Sequence, residues 1–111
     1  MVKKADQVKD IINTLAASLK NRGIKVNRLI LYGSYANGTP KPYSDIDIAV
    51  VSATFNNKNL LERQEILGEV IFTLQEPIEA IGYSYREFIR PPRLSFLSEI
   101  ISTGKVLYKE N

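Results

Sequence analysis

The segment DIDIAVV at residues 45–51 is the feature that most restricts how this chain can fold. Successive side chains of a β-strand point to opposite faces of the sheet. One face of this strand would therefore carry Asp45, Asp47 and Ala49. The other face would carry the apolar side chains, Ile46, Ile48 and Val50. The pattern predicts a strand that covers a core with one face and presents two carboxylates on the other.

The two carboxylates raise a chemical question, because anions that project from the same face of a strand repel each other. A cation or a proton relieves that repulsion. Magnesium prefers hard oxygen ligands and typically uses one or two carboxylates together with substrate phosphates. Asp45 and Asp47 therefore indicate a divalent-metal site, and a solvated strand face is the alternative interpretation.

Two further features can serve such a site. Gly33-Ser34 follows the apolar run RLILY at residues 28–32, and glycine lets a phosphate approach the backbone closely while the serine hydroxyl donates. Residues 35–37 are expected to begin a helix there. Glu79, on the expected neighbouring strand, either completes a two-metal site or accepts the proton of an attacking hydroxyl. An ordinary turn and an exposed strand residue are the alternatives.

Composition narrows the chemistry further. The chain has no cysteine and no histidine, which excludes disulfides, thiolate or imidazole metal sites and Ser-His or Cys-His nucleophilic pairs. Its 111 residues fit one domain, spanning 1–111. No apolar run approaches the ~18 residues of a membrane span, and charged residues interrupt the only candidate signal peptide, so a cytoplasmic location is expected. The net charge of +3 suits a polyanionic ligand but does not identify one.

The first half of the chain alternates helical and strand patterns. Apolar side chains at helical spacing predict a first helix that ends near Gly23, and they are Val8, Ile11, Ile12, Leu15 and Leu19. Residues 28–32 predict the first strand, and Pro40 and Pro42 mark a loop before the second strand. A second long helix should follow residues 56–59, with a buried side formed by Leu60, Leu67, Val70, Ile71 and Leu74.

The second half supplies a third strand and a last helix. The run IEAIGY at 78–83 predicts a strand with Glu79 and Ile81 on one face. After the break RPPR at 90–93, a helix is expected over residues 94–102, ended by Gly104, with a short apolar end at 106–108. A solvated basic surface is the preferred interpretation of Arg86, Arg90 and Arg93, and a phosphate clamp is the alternative. The order of elements predicts a small α/β sheet covered by helices.

The motif GSYANG at 33–38 followed by SDIDIAV at 44–50 resembles the signature of the minimal nucleotidyltransferases, a branch of the DNA polymerase beta-like nucleotidyltransferase superfamily. The leading helix, PIEAIGYS at 77–84 and FLSEIISTGKVLY at 96–108 are similar to the same group. The resemblance implies a mixed sheet with flanking helices. It also implies magnesium-dependent transfer of a nucleoside monophosphate, AMP in the first instance, from a nucleoside triphosphate such as ATP to a hydroxyl, with release of pyrophosphate.

Carried onto this sequence, the resemblance assigns roles to particular residues. Gly33, Ser34 and Ser44 would bind the triphosphate, while Asp45, Asp47 and Glu79 would be the metal-binding and catalytic acids. Two positions depart from the pattern. Many relatives have Asp where this chain has Glu79, and many have Arg or Lys where Asn37 stands. A one-residue slip of the third strand would also turn Glu79 to the opposite face.

The small size leaves nothing beyond the core to recognise an acceptor, so a partner is expected. Minimal nucleotidyltransferases are similar to the antitoxins of prokaryotic HEPN/MNT toxin-antitoxin pairs, and the resemblance implies a HEPN-domain ribonuclease as partner and acceptor. A small-molecule acceptor such as an aminoglycoside is one alternative. A non-catalytic subunit that neutralises its partner by occlusion is another, and a nucleotide sensor or an unrelated small α/β domain is a third. Neither membrane binding nor direct nucleic-acid binding is expected, and an oligomer remains open.

Overall fold

The computed structural model describes residues 2–110, which form a mixed four-stranded sheet with helices on both faces. The elements in chain order are α1 (Ala5–Asn21), β1 (Val26–Tyr32), α2 (Gly33–Asn37), β2 (Ile46–Ser52), a 3-10 helix (Ala53–Asn57), α3 (Leu60–Leu74), β3 (Ile78–Ser84), α4 (Tyr85–Ile89), α5 (Phe96–Thr103) and β4 (Lys105–Lys109). The strand order is β3-β2-β1-β4. β1 runs antiparallel to both β2 and β4, whereas β2 and β3 are parallel. The predicted small α/β sheet is confirmed.

Local sequence signals explain where the two long helices begin and end. α1 ends as predicted, because Gly23 adopts a φ of +80° and its N–H donates to the Lys20 carbonyl at 2.9 Å. α3 begins where Asn59 and Glu62 cap each other reciprocally, side chain to backbone N–H, at 2.9 Å in both directions. Within residues 2–110, no helix is both long and apolar enough to cross a membrane.

The two faces of the sheet bury very different amounts of apolar surface. One face packs against α1 and α3 and includes the predicted core face of β2, Ile46, Ile48 and Val50. The other face has a smaller cluster, formed by Ile30, Ala49, Val51 and Ile100. Asp47 belongs to this second face because it alternates with the buried residues of the first. The predicted division of β2 into a core face and a carboxylate face is thus confirmed for Asp47, whereas Asp45 lies just before the strand and not on it.

Two predictions about the helices are wrong in detail, and two short helices were not predicted at all. Leu60 does not lie on the buried side of α3, since it is 61% exposed at the first helical position. The last helix starts at Phe96 and not at residue 94, because Leu94 has a φ of +61° and the Ser95 hydroxyl caps the N–H of Ser98. The 3-10 helix and α4 were not predicted. The 3-10 helix buries Phe55 completely, although the residues that follow it, 56–59, are all polar.

Arg63 on α3 joins four parts of the second half of the chain. Its guanidinium donates to the carbonyls of Lys58 at 2.9 Å, Phe55 at 3.1 Å and Gly82 at 3.3 Å. It also forms an ion pair with Glu87 at 2.6 Å, and that carboxylate accepts the N–H of Ser84. The Arg63 side chain is only 12% exposed, so water cannot easily replace these bonds.

Replacing Arg63 with methionine should therefore lower the free energy of unfolding by about 3 kcal/mol, because it leaves several partly buried acceptors without a donor. Arg22→Met is the matched control. Arg22 also pairs with a glutamate, Glu69, but both side chains are well exposed, and such pairs contribute about 1 kcal/mol or less. Chemical denaturation of both variants measures the difference. Equal losses would contradict a central role for Arg63.

Candidate functional site

The turn between β1 and α2 brings a glycine backbone against a carboxylate. Gly33 has a φ of +73°, a conformation that favours glycine. A Cβ atom at this position would lie 2.1 Å from Oδ2 of Asp47, which is shorter than any real contact. The closeness follows from the sheet, since Tyr32, the residue before Gly33, is the ladder partner of Asp47. A glycine is therefore required here if the Asp47 side chain is to keep its position.

The carboxylates predicted from sequence lie on neighbouring strands at one end of the sheet. Asp47 of β2 is in register with Glu79 of β3, so both side chains project from the same face, and Asp45 directly precedes β2. The predicted register of the third strand is confirmed. Burial raises the pKa of the Asp47 carboxyl, and the negative charges of Glu79 and Asp45 raise it further.

A concentration of negative charge of this kind suits a hard cation. Among residues 2–110, neither Asp45, Asp47 nor Glu79 forms an ion pair with a lysine or arginine. In the same part of the chain, no group of three or more acidic side chains is close enough to hold one metal ion. Magnesium commonly binds through one or two carboxylates and completes its shell with water and phosphate oxygens. The residues fit that chemistry, and their role as metal ligands remains a prediction.

The serines predicted to bind the triphosphate have different surroundings. Ser34 lies in the first turn of α2, half-buried, and its hydroxyl forms no hydrogen bond within the described residues 2–110. Ser44 belongs to the loop before β2, where its hydroxyl accepts the N–H of Lys41 at 2.8 Å and shapes the turn at 41–44. Ser34 therefore has a free hydroxyl for a ligand, whereas Ser44 already has a local structural contact. For both residues, ligand binding stays a prediction.

Tyr32 is a site residue that the sequence reasoning missed. Burial raises its pKa to about 12, with further contributions from the charges of Asp47, Glu79 and Tyr83. The phenol is therefore protonated at neutral pH and can donate a hydrogen bond beside the carboxylates, but it cannot act as a base. Its position directly before Gly33, at the end of β1, was the available signal.

A cleft of about 250 Å³ opens beside Gly33, between α2 and α5, and is lined by Tyr32, Gly33, Ala36, Asn37, Phe96, Glu99, Ile100 and Thr103. Phe96 packs edge-on against Tyr32 with 5.5 Å between ring centroids. A larger cavity of about 490 Å³ lies elsewhere, near Lys3, Val8 and Leu107, and none of the predicted site residues lines it. The candidate site is therefore defined by its carboxylates and its glycine turn, and not by cavity volume.

The fold that carries this site is the α/β nucleotidyltransferase fold. The chain matches 92% of its length to 77% of a crystal structure of a "putative nucleotidyltransferase" from Sulfolobus solfataricus, with a TM-score of 0.63 and 20% identity. It matches 89% of its length to 73% of a chain in a crystal structure of a toxin-antitoxin with AMP-PNP, with a TM-score of 0.63 and 24% identity. At these identities the likeness establishes the fold.

Sequence comparison establishes the family. Residues 12–104 match the family model described as "Nucleotidyltransferase domain", so the chain belongs to the nucleotidyltransferase domain family and is a nucleotidyltransferase enzyme. The chain is also 28% identical over 101 residues to "Putative protein adenylyltransferase MJ0604" of Methanocaldococcus jannaschii, covering 91% of this chain and 94% of that protein. The resemblance inferred from the two motifs is confirmed.

Proposed function

We propose that this protein transfers AMP from ATP to a hydroxyl group of a partner protein in a magnesium-dependent reaction. The observation that carries the proposal is the position of Asp47, whose carboxylate lies against the Gly33 turn and beside Glu79 on the neighbouring strand. This arrangement places acids, a close backbone approach and a free serine hydroxyl within one end of the sheet.

Each residue has a distinct role in the proposed reaction. Asp45 and Asp47 hold magnesium, while the Gly33 backbone and the hydroxyls of Ser34 and Ser44 bind the triphosphate. Magnesium, when bound, neutralises the negative charge of the triphosphate and the further charge that develops on it during transfer. The acceptor oxygen bonds to the α-phosphorus, the bond from that phosphorus to the bridging oxygen breaks, and pyrophosphate leaves. Glu79 accepts the proton of the acceptor hydroxyl, or completes a two-metal site.

Two relatives support the choice of nucleotide and acceptor. The similar protein of Methanocaldococcus jannaschii is named a protein adenylyltransferase, and the fold is shared with a chain crystallised as a toxin-antitoxin with AMP-PNP. We therefore propose that the protein is the antitoxin of a HEPN/MNT pair, and that a HEPN-domain ribonuclease is its acceptor.

The test is a transfer reaction with a purified HEPN-domain ribonuclease, magnesium and ATP that is radioactively labelled in either the α or the γ position. Label from the α position alone should appear on the ribonuclease, together with loss of its RNA cleavage. Glu79→Gln should slow the transfer strongly if Glu79 accepts the proton or binds metal. Label from the γ position would show phosphorylation and would overturn the proposal.

The same assay also tests the alternative mechanism, in which the protein neutralises the ribonuclease by occlusion. A subunit that only occludes its partner would neutralise the ribonuclease without ATP, and it would do so equally well with Asp45→Asn/Asp47→Asn. Neutralisation that needs both ATP and the intact aspartates would exclude occlusion.

A further inference from the structure

The turn at residues 92–95 exposes a leucine in an unfavourable backbone conformation. The N–H of Ser95 donates to the carbonyl of Pro92 at 3.2 Å, and Leu94 within this turn has a φ of +61°. That region is unfavourable for a residue with a branched side chain. The Leu94 side chain is also 94% exposed, so the fold gains nothing from it. Strain of this kind at an exposed position is a reason to look for a function.

The residues around Leu94 share two properties. Ile89 at the end of α4 and Phe96 at the start of α5 are exposed apolar side chains within seven positions of it. Arg90 and Arg93 lie between them in the sequence. Neither arginine forms an ion pair with any acid in residues 2–110. We call Ile89, Arg90, Arg93, Leu94 and Phe96 the 89–96 surface.

The 89–96 surface meets the candidate active site at Phe96. Phe96 contacts Tyr32, and Tyr32 is the ladder partner of Asp47. Phe96 also lines the cleft that opens beside Gly33. A macromolecule bound to this surface would therefore reach the face of the sheet that carries the carboxylates.

We propose that the 89–96 surface docks the acceptor protein, and that the acceptor meets it with an apolar patch bordered by acidic side chains. The inference rests on the proposed function. Arg90 and Arg93, which form no ion pair within residues 2–110, supply the charge that an acidic border would complement. Such charges mainly set the choice of partner and the association rate. Burial of Leu94, Ile89 and Phe96 would supply affinity, since the removal of exposed apolar surface from water is favourable.

A nucleic acid is a less suitable occupant than a protein. Arginines bind phosphates equally well and Phe96 offers one ring for stacking, but Ile89 and Leu94, the other two exposed apolar side chains, offer no stacking surface for bases. The protein patch therefore accounts for both the basic and the aliphatic residues of the surface. RNA is kept as an outcome of the test.

The exposed apolar residues of α3 provide a control surface. Phe72 is 80% exposed, but α3 packs on the opposite face of the sheet from the carboxylates. Arg22, at the end of α1, already forms an ion pair with Glu69 of α3, so within residues 2–110 it is not an unpaired charge like Arg90 and Arg93. Phe72→Ala thus removes a similar exposed apolar area from a place that the proposal does not involve.

The experiment measures binding and not turnover, at low ionic strength and without ATP or metal. The probe is a fluorescent random copolymer of glutamate, alanine and tyrosine, which carries acidic, apolar and hydroxyl groups. A copolymer of lysine and tyrosine and a poly(U) RNA are the comparison probes. Wild type should bind the acidic copolymer, and Leu94→Gly and Arg90→Gln/Arg93→Gln should each weaken that binding about tenfold. Phe72→Ala should leave it unchanged.

Leu94→Gly keeps the test interpretable because glycine accepts the left-handed conformation, so the variant should unfold no more easily than wild type. Equal binding of the acidic copolymer by wild type and Leu94→Gly would overturn the proposal, as would tighter binding of poly(U) or of the lysine copolymer. Thermal stabilisation by magnesium and ATP is measured on the same samples. If wild type shows that stabilisation but does not bind the acidic copolymer, docking fails and the proposed function stands. If the stabilisation is missing in wild type, the proposed function itself fails.

Discussion

Asp47→Asn is expected to reduce nucleotidyl transfer by at least about 10³-fold while leaving the folded protein no less stable than wild type. The asparagine amide is neutral, so it cannot supply the negative charge with which a carboxylate binds magnesium. Asp47 is also the acid that lies against the Gly33 turn. The same substitution removes a partly buried negative charge from the neighbourhood of Glu79 and Asp45. The unliganded variant should therefore gain up to about 1 kcal/mol, the size typical of a partly exposed charge pair.

Thermal unfolding with magnesium alone, ATP alone and both together measures the binding part of this prediction. A ligand that binds only the native state at ~100 times its Kd adds roughly 2.7 kcal/mol, or about 10 °C for a domain of this size. Wild type should show this gain only with both ligands, and Asp47→Asn should show none. Asp10→Asn is the control, since Asp10 is an exposed acid on α1, across the sheet from the site. Ligand stabilisation retained by Asp47→Asn would contradict the metal role.

The raised pKa of Asp47 has a consequence for pH, and its sign is fixed by the direction of the shift. A carboxyl whose pKa is raised on folding lowers the free energy of unfolding when it is ionised. This loss of stability is relieved as pH falls through the pKa of the folded state. Magnesium requires the ionised form. Acidification toward that pKa should therefore weaken ligand stabilisation, while the penalty from Asp47 in the unliganded protein is relieved.

The parts of the fold that could be predicted are those in which the local pattern reports burial directly. The alternation in β2 correctly assigned its core face because a strand with one buried face has a period of two. Leu60 was misassigned because helical periodicity alone does not show where a helix begins. The cap at Asn59 makes Leu60 the first residue of α3, and there it lies away from the core. α4 was missed because five residues carry too little periodicity to be recognised.

The site was only partly predictable for a different reason. Gly33 and Asp47 lie only fourteen positions apart, so their proximity follows from a single turn and one antiparallel strand pair. The participation of Tyr32 depends on which residue opposes Asp47 across the ladder, and that of Phe96 on how α5 folds back onto the sheet. Such contacts join residues far apart in sequence, and no local pattern encodes them.

Gly33→Ala and Gly38→Ala form a matched pair that separates backbone strain from displacement of the carboxylate. Gly33 begins α2 and Gly38 follows its last residue, and the two have nearly the same backbone conformation, φ of +73° and +74°. Each alanine should cost about 1–2 kcal/mol of stability for the left-handed conformation alone. A Cβ on Gly38 meets nothing within 4 Å, so Gly38→Ala should retain activity and full ligand stabilisation.

Gly33→Ala should differ because its Cβ would lie 2.1 Å from Oδ2, 3.0 Å from Cγ and 3.3 Å from Cβ of Asp47. Rotation of the Asp47 side chain moves the first two atoms away but leaves its Cβ in place, so the ladder between Tyr32 and Asp47 must also shift. A displacement of about 1 Å at a reacting group costs about 10²-fold in rate. We therefore expect Gly33→Ala to lose at least about 10²-fold in transfer and to be less stable than Gly38→Ala. Turnover and chemical denaturation of the two variants decide the matter. If both variants transfer nucleotide equally well, the contact between Gly33 and Asp47 does not position the catalytic carboxylate.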